Sequence, residues 1–232
     1  MSARKRVAVV GAAGRLGRHA CEVLSASAEF ELVARIGSRD ELETTVRTTR
    51  AELALETTRA GLGFEHAARL LRAGVRPLVA TSGVSPEQND ELDRLARELG
   101  LGGLVVPNFS LGSWLLQRLS VEAARWFEHA EIVELHHEKK RDAPSGTALE
   151  TARRMKAARA VERDVPIHSV RLPGLYAHQE VLFGARGETL TLRHDMSGPE
   201  AFGPGILAGL RYVATAHGVA RGLDPVFGAV AR

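Results

Sequence analysis

The stretch VAVVGAAGRLG, residues 7–17, constrains the fold of this 232-residue chain more than any other. Val7 to Val10 is a valine-rich run of the kind buried on both faces of a parallel sheet. Gly11 ends it, and from Leu16 the apolar positions Ala20, Val23 and Leu24 recur with helical period. Strand, glycine turn and helix in that order leave unpaired N–H groups at a helix N-terminus, a natural seat for phosphate. Glycine at 11 permits the tight turn, at 14 lets a pyrophosphate approach the backbone, and at 17 lets the helix pack close to the sheet. Gly11, Ala12, Ala13, Gly14, Arg15 and Leu16 are therefore the expected dinucleotide-binding residues. The bland alternative is a purely structural turn in an α/β protein of another kind.

The next strand, Leu32 to Ile36, runs into Gly37-Ser38-Arg39-Asp40. NAD-binding folds place Asp or Glu about twenty residues past the glycines to hold the adenine ribose. Here a hydroxyl and a guanidinium, Ser38 and Arg39, stand first, and they suit a ribose 2′-phosphate that a carboxylate would repel. NADPH is expected, with NADH possible; the competing reading has Arg39 in water and Asp40 on the ribose.

Further strands are expected at Leu53–Glu56, Pro77–Ala80 and Leu104–Val106, alternating with helices at Phe64–Ala73 and from Ser85 to Gly100. Ser85-Pro86-Glu87-Gln88 reads as a capping box with Pro at the first helical position. This alternation predicts parallel βαβ units. After Pro107 the pattern changes to a long helix over Leu111–Phe127, a strand at Glu131–His136 and a helix at Thr147–Ala158. Strands follow at Ile167–Arg171, Gln179–Phe183 and Leu190–His194, the last two joined by the hairpin turn Gly184-Ala185-Arg186-Gly187. The Ala- and Arg-rich stretch 152–160 reads as helix, Ile206–Val219 as a final helix, and Val226–Val230 as a short run returning to the first domain. The expected architecture is α/β: a Rossmann-like parallel-sheet domain over 1–109 with a C-terminal return over 203–232, and an α+β domain on a mostly antiparallel sheet over 110–202.

Thirty-one Lys+Arg against 28 Asp+Glu leave a formal charge of +3, which gives no global argument for nucleic acid. No run of about eighteen apolar residues points to a membrane span. The single cysteine, Cys21, sits in the helical pattern as a small buried hydrophobe and fits a reducing, cytoplasmic setting. No set of side chains falls at zinc-ligand spacing, so no metal site is expected.

Residues 136–147, HHEKKRDAPSGT, carry the chemistry. His136 and His137 end a strand and point to opposite faces. Lys139, Lys140 and Arg141 occupy a loop, where Lys139 and Arg141 read as a solvated face. Ser145 is a natural N-cap, and the N–H groups of Gly146 and Thr147 behind it make an anion seat that Lys140 would strengthen. His19, His129 and His217 lie in helical or connecting patterns and read as surface or core residues.

The run Glu134-Leu135-His136-His137-Glu138-Lys139-Lys140-Arg141-Asp142-Ala143-Pro144-Ser145-Gly146-Thr147-Ala148 closely resembles the signature of the 4-hydroxy-tetrahydrodipicolinate (dihydrodipicolinate) reductase family of lysine and diaminopimelate biosynthesis. Val9 to Gly17 is similar to that family's cofactor turn, Ala80-Thr81-Ser82-Gly83 to its G-T-T-G, and Pro107-Asn108-Phe109-Ser110-Leu111-Gly112 to its A-N-F-S-x-G. His178 to Gly184, Gly187 to Thr191 and His194-Asp195 are similar to its second-domain hairpin. The resemblance implies reduction of a small cyclic dicarboxylate by NAD(P)H, with His136 and Lys140 as proton donor and partner. His137, Ser145, Gly146 and Thr147 would lie on the substrate, and Ala80, Thr81, Ser82, Val106, Pro107, Asn108 and Phe109 on the cofactor. A cytoplasmic homotetramer is implied as well. The chain departs from the pattern at Leu55-Glu56-Thr57-Thr58-Arg59-Ala60, where the family has D-F-T-x-P, at Ala80 and at the hinge Ser197-Gly198-Pro199-Glu200-Ala201-Phe202, which lacks the usual arginine. A reductase of another small dicarboxylate and a non-catalytic NADP(H) sensor are the rival functions, the latter because fold alone does not fix function.

Overall fold

A computed structural model describes residues 3–158 and 163–228. The chain forms two compact units, Met1–Phe109 with Phe202–Arg232, and Ser110–Ala201. The first begins with β1 (Lys5–Val10), α1 (Arg15–Ser25), β2 (Phe30–Ile36), α2 (Leu42–Thr48), β3 (Leu53–Glu56), α3 (Gly63–Arg72), β4 (Arg76–Val79), α4 (Pro86–Glu98) and β5 (Gly102–Val105). The second contains α5 (Leu111–Ala123), β6 (His129–His136), α6 (Gly146–Ala158), β7 (Ile167–Arg171), β8 (Ala177–Ala185) and β9 (Glu188–Met196). The chain then completes the first unit with α7 (Gly203–Thr215), β10 (Gly218–Arg221) and α8 (Asp224–Phe227).

Six parallel strands in the order β10-β5-β4-β3-β1-β2 form the first sheet. β3 and β5 are buried at every residue, as continuous apolar strands covered on both faces should be. On one face, Ala8, Val10, Ile36 and Ala54 pack with Leu42, Val46 and Leu70 of α2 and α3. Each fully buried leucine such as Leu70 contributes about 1.5–3 kcal/mol relative to exposure. Ser85 caps α4 as its sequence requires: Ser85 Oγ accepts the Gln88 N–H at 3.2 Å and Gln88 Oε1 accepts the Ser85 N–H at 3.0 Å. Replacing such a cap with Ala costs about 1 kcal/mol. In α7, a Cβ on Gly205 would lie 1.9 Å from the Phe109 carbonyl oxygen, so only glycine allows that approach.

The second sheet has the order β7-β6-β8-β9, with β6 and β7 parallel and the other two pairings antiparallel. Ala130, Ile132, Val181 and Phe183 from its strands pack with Leu116 of α5 and Ala148 and Met155 of α6. The hairpin pairs Ala185 with Glu188 across a turn in which Gly187 has φ +89°.

Several element expectations need correction. Residues 42–48 form α2, where no element was expected. α5 stops at Ala123, and Phe127 lies beyond it, packed on Phe183 with ring centroids 5.7 Å apart. The final helix ends at Thr215, and Gly218–Arg221 form the sixth strand instead. Asp224–Phe227 is helical, so the run from Val226 is no strand where it is described; Ala229 and Val230 lie outside the described residues. Of the Ala- and Arg-rich stretch, residues up to Ala158 are helical, and 159–160 lie outside the described residues.

Candidate active site

All the expected cofactor residues follow the C-terminal ends of parallel strands in the first unit: Gly11–Leu16 after β1, Ser38 and Arg39 after β2, Ala80–Ser82 after β4, and Val106–Phe109 after β5. Gly11 has φ +81°, a conformation that glycine alone adopts without strain. A Cβ on Gly17 would lie 2.2 Å from the Gly11 carbonyl oxygen, so the turn and α1 are packed backbone to backbone. α1 has no side-chain cap and no acidic residue in its first turn, and Ala13, Gly14 and Arg15 are exposed. These features fit a pyrophosphate. Beyond β2, Asp40 Oδ2 accepts the Gly37 N–H at 2.7 Å, so that carboxylate closes its own loop while Ser38 and Arg39 stand exposed.

The remaining cofactor candidates divide by exposure. Ser82 and Pro107 are exposed and Asn108 half-buried. Val106 and Phe109 are buried, and the Phe109 ring packs toward Gly209 of α7, which leaves their backbone as the part able to meet a ligand. Thr81 is buried too, and its hydroxyl donates to Glu56 Oε2.

Sequence reasoning did not anticipate that use of Glu56. Its carboxylate is fully buried and also accepts the Thr58 hydroxyl, the Thr58 N–H at 3.1 Å and a bond from His66 Nδ1 at 3.1 Å. One side chain thus ties the loop after β3 to the loop after β4 and to α3. Thr57 completes the link to the glycine turn, its hydroxyl donating to the Val10 carbonyl at 2.8 Å.

In the second unit, strand pairing lays polar side chains in a row: Ser169, Glu134, Gln179 and His194 are successive partners across β7, β6, β8 and β9. His136 ends β6 one row further on, between Arg171 of β7 and Ala177 of β8. Its Nδ1 lies 2.5 Å from Glu134 Oε2. Arg171 reaches both oxygens of Glu134, Nη1 to Oε2 at 3.0 Å and Nη2 to Oε1 at 2.7 Å. Its Nη2 also donates to the Asp142 carbonyl at 2.7 Å.

Ser145 caps α6, its Oγ accepting the Ala148 N–H at 3.2 Å, while its own N–H donates to Glu134 Oε1 at 3.2 Å. With the Ser145 N–H given to Glu134 and the Ala148 N–H to the Ser145 cap, the first-turn N–H groups of Gly146 and Thr147 are placed to face an anion. Gly146 is exposed, and a Cβ there would meet no heavy atom within 4 Å. Lys140 is held by Asp142, both carboxylate oxygens 2.8 Å from Nζ. Lys139 and Arg141 are exposed, and His137, past the strand end, is half-buried. Arg171 is a site residue outside the motif, and Glu134, the motif's first residue, was given no role there; an acidic residue two positions before a histidine on one strand face was the available signal for it.

The electrostatics follow from these contacts. Burial raises the Glu134 carboxyl, but hydrogen bonds from Arg171, Ser169 and His136 together outweigh it and hold the group below the usual carboxylate value. Burial lowers His136, and Lys140 and Arg171 add to that; Glu134 opposes them, and the balance stays below the ordinary imidazole value. A half-buried imidazole on a buried carboxylate, beside a lysine and a helix N-terminus, can pass a proton to an anionic substrate held at that helix. Among the described residues no cluster of three His, Cys, Asp or Glu side chains could hold a metal, and no helix is long and apolar enough to cross a membrane.

Comparison with known proteins places both units. Residues 5–109 match the family model described as dihydrodipicolinate reductase, N-terminus, and residues 112–226 the one described as its C-terminus. The 4-hydroxy-tetrahydrodipicolinate reductase of Legionella pneumophila (strain Lens) is 40% identical over 239 residues, covering 95% of this chain and 98% of the relative. The enzyme of that description from Coxiella burnetii (strain Dugway 5J108-111) is 38% identical over 232 residues, covering 94% and 97%. A dipicolinate-bound dihydrodipicolinate reductase from Paenisporosarcina sp. TG-14 matches with a TM-score of 0.88 at 31% identity, covering 97% of this chain and all of that one.

Proposed function

The chain belongs to the dihydrodipicolinate reductase family and is an NAD(P)H-dependent oxidoreductase of that kind; from that premise we propose how its residues divide the work. The observation that carries the reading is the second unit's constellation, in which one buried carboxylate joins His136 to the cap of α6. The Paenisporosarcina relative is described as dipicolinate-bound, which supports a planar ring with two carboxylates as the substrate class.

Gly11–Leu16 and the N-terminus of α1 hold the pyrophosphate, and the loops at Ala80–Ser82 and Val106–Phe109 hold the nicotinamide end. NADPH bound there supplies a hydride. We assign NADPH over NADH, because Asp40 is spent on Gly37 while Ser38 and Arg39 face outward. Gly146 and Thr147 bind one substrate carboxylate through backbone N–H groups, with His137 beside the ring. Lys140 exchanges its partner Asp142 for the anionic substrate. Hydride addition to the unsaturated ring leaves an enamine, and His136, backed by Lys140, returns a proton to the adjacent carbon. A cytoplasmic homotetramer formed through the second unit's sheet completes the proposal.

A spectrophotometric assay of NADPH oxidation, with substrate generated freshly by the preceding synthase, tests the reading. Turnover is expected, with a lower KM for NADPH than for NADH and loss of that difference in Arg39→Ala. Near-normal turnover in both His136→Ala and Lys140→Ala would overturn the proton-donor assignment, and light scattering that finds a monomer would overturn the tetramer.

A further inference from the structure

We infer that Glu134 is the positioning residue of the proton transfer: it fixes His136 as the Nδ1–H tautomer with Nε2 toward the substrate, and by the same carboxylate fixes the turn that binds the substrate's carboxylate. This rests on the proposed role of His136 and deepens it. Glu134 touches no solvent, and its two oxygens receive bonds from three elements. Oε2 takes His136 Nδ1 at 2.5 Å and Arg171 Nη1 at 3.0 Å; Oε1 takes Arg171 Nη2 at 2.7 Å and the Ser145 N–H at 3.2 Å. An ionised carboxylate only accepts, so the ring nitrogen against it carries its hydrogen. The nitrogen that gains and loses a proton during turnover is therefore Nε2. In the transfer the Nε2–H bond breaks and its electron pair stays on nitrogen, while the enamine pair forms the new C–H bond. The neutral ring left behind is already the tautomer that Glu134 stabilises, so no ring flip separates one turnover from the next. Arg171 is the reason a carboxylate can remain ionised in this place, since a buried charge must be paired and hydrogen-bonded to persist.

Three charged groups bear on His136: Glu134 on its own strand, Arg171 on β7, and Lys140 on the following loop, itself held by Asp142; β8 presents Ala177 opposite. Only Glu134 favours the protonated ring. Glu134→Gln keeps an acceptor for Nδ1–H and removes that charge. It is expected to lower kcat at least tenfold and to move the alkaline limb of the kcat–pH profile to lower pH by on the order of one unit. The KM for the dicarboxylate should rise while that for NADPH stays put, a split that general destabilisation would not produce. A pH profile superimposable on that of the unsubstituted enzyme would overturn the inference.

Should the variant fail to fold, the unsubstituted enzyme still answers. In its 15N-histidine NMR spectrum, above the titration of His136, Nδ1 is expected to carry the proton; an Nε2–H or mixed tautomer would overturn the inference. The two readings also fail separately. Full activity in His136→Ala removes the proposed proton donor, whereas an inactive His136→Ala beside an unshifted Glu134→Gln profile removes only the role of Glu134.

Discussion

Among the described residues each unit buries one glutamate completely and sets a histidine Nδ1 against it: Glu56 with His66 in the nucleotide unit, Glu134 with His136 in the other. The pairs differ in what else they touch. Glu56 is satisfied by two threonine hydroxyls and one backbone N–H, all neutral donors, and the groups it gathers are the loops beside the cofactor turn. Glu134 is satisfied by a guanidinium, by the N–H of a helix cap and by Ser169. Its histidine lies at the end of a strand, under the charge of Lys140. On the proposed reading, the same two residue types serve as loop staple in one place and as acid with its holder in the other, and the second donor set separates them.

The sharpest way to break that distinction is through the histidines. His136→Ala is expected to lower kcat by about 10²–10⁴-fold, the usual contribution of a general acid. His66→Ala should leave kcat within about threefold and act on stability and nucleotide KM instead, since removing a donor to a buried acceptor costs about 1–3 kcal/mol. Steady-state kinetics on both variants decides; equal losses of kcat would erase the difference.

The glutamates should separate by less. Glu134→Ala strands the Arg171 guanidinium and is expected to cost about 3–5 kcal/mol of unfolding free energy, the range for breaking a buried ion pair. Glu56→Ala strands only neutral donors and His66, and about 1–3 kcal/mol is expected. Urea denaturation of the two variants measures the gap.

How much of this could be read in advance follows from range. The glycine turn, the capping box at Ser85 and the cap at Ser145 are written in contiguous residues, because a turn or a helix start is a local event. The hydrophobic runs β1, β3 and β5 were legible for the same reason. β10 was not: its four residues begin with a glycine at φ +79°, and they are a strand because β5 offers an edge and Asp93 Oδ1 accepts the Val219 N–H at 2.7 Å. α2 buries only Leu42 and Val46, too few positions to show a period. Arg171 lies 37 residues from Glu134, and only the parallel register of β6 and β7 brings them together. The motif was thus visible as a string, whereas the contacts that make Glu134 its hub needed the sheet.

A smaller effect sharpens the comparison through pH. The Glu134 carboxyl is depressed in the folded chain, so it contributes stability that is whole above its unfolded value, near 4.5, and is lost as pH falls through the folded value. His136 is likewise depressed, so the folded chain prefers the neutral ring; that contribution is whole above 6.5 and declines as pH falls below it toward the folded value. Acidification from pH 7 should therefore lower Tm in two stages, and Glu134→Gln should remove the later, more acid one. Scanning calorimetry across pH 3–7, a range set by these ordinary values, would show it.

The order of segments along the chain has a consequence for biosynthesis. Residues 110–201 form a contiguous unit, but the sheet that precedes them gains its sixth strand and the α7 helix, with Gly205 set against Phe109, only from residues beyond 202. As the polypeptide leaves the ribosome, the inserted unit has all its parts first, and the nucleotide-binding half waits with the edge of β5 bare until β10 emerges. Truncation ahead of Gly218 would leave that edge open to strand pairing with another molecule, which makes nascent or shortened chains the species prone to aggregate.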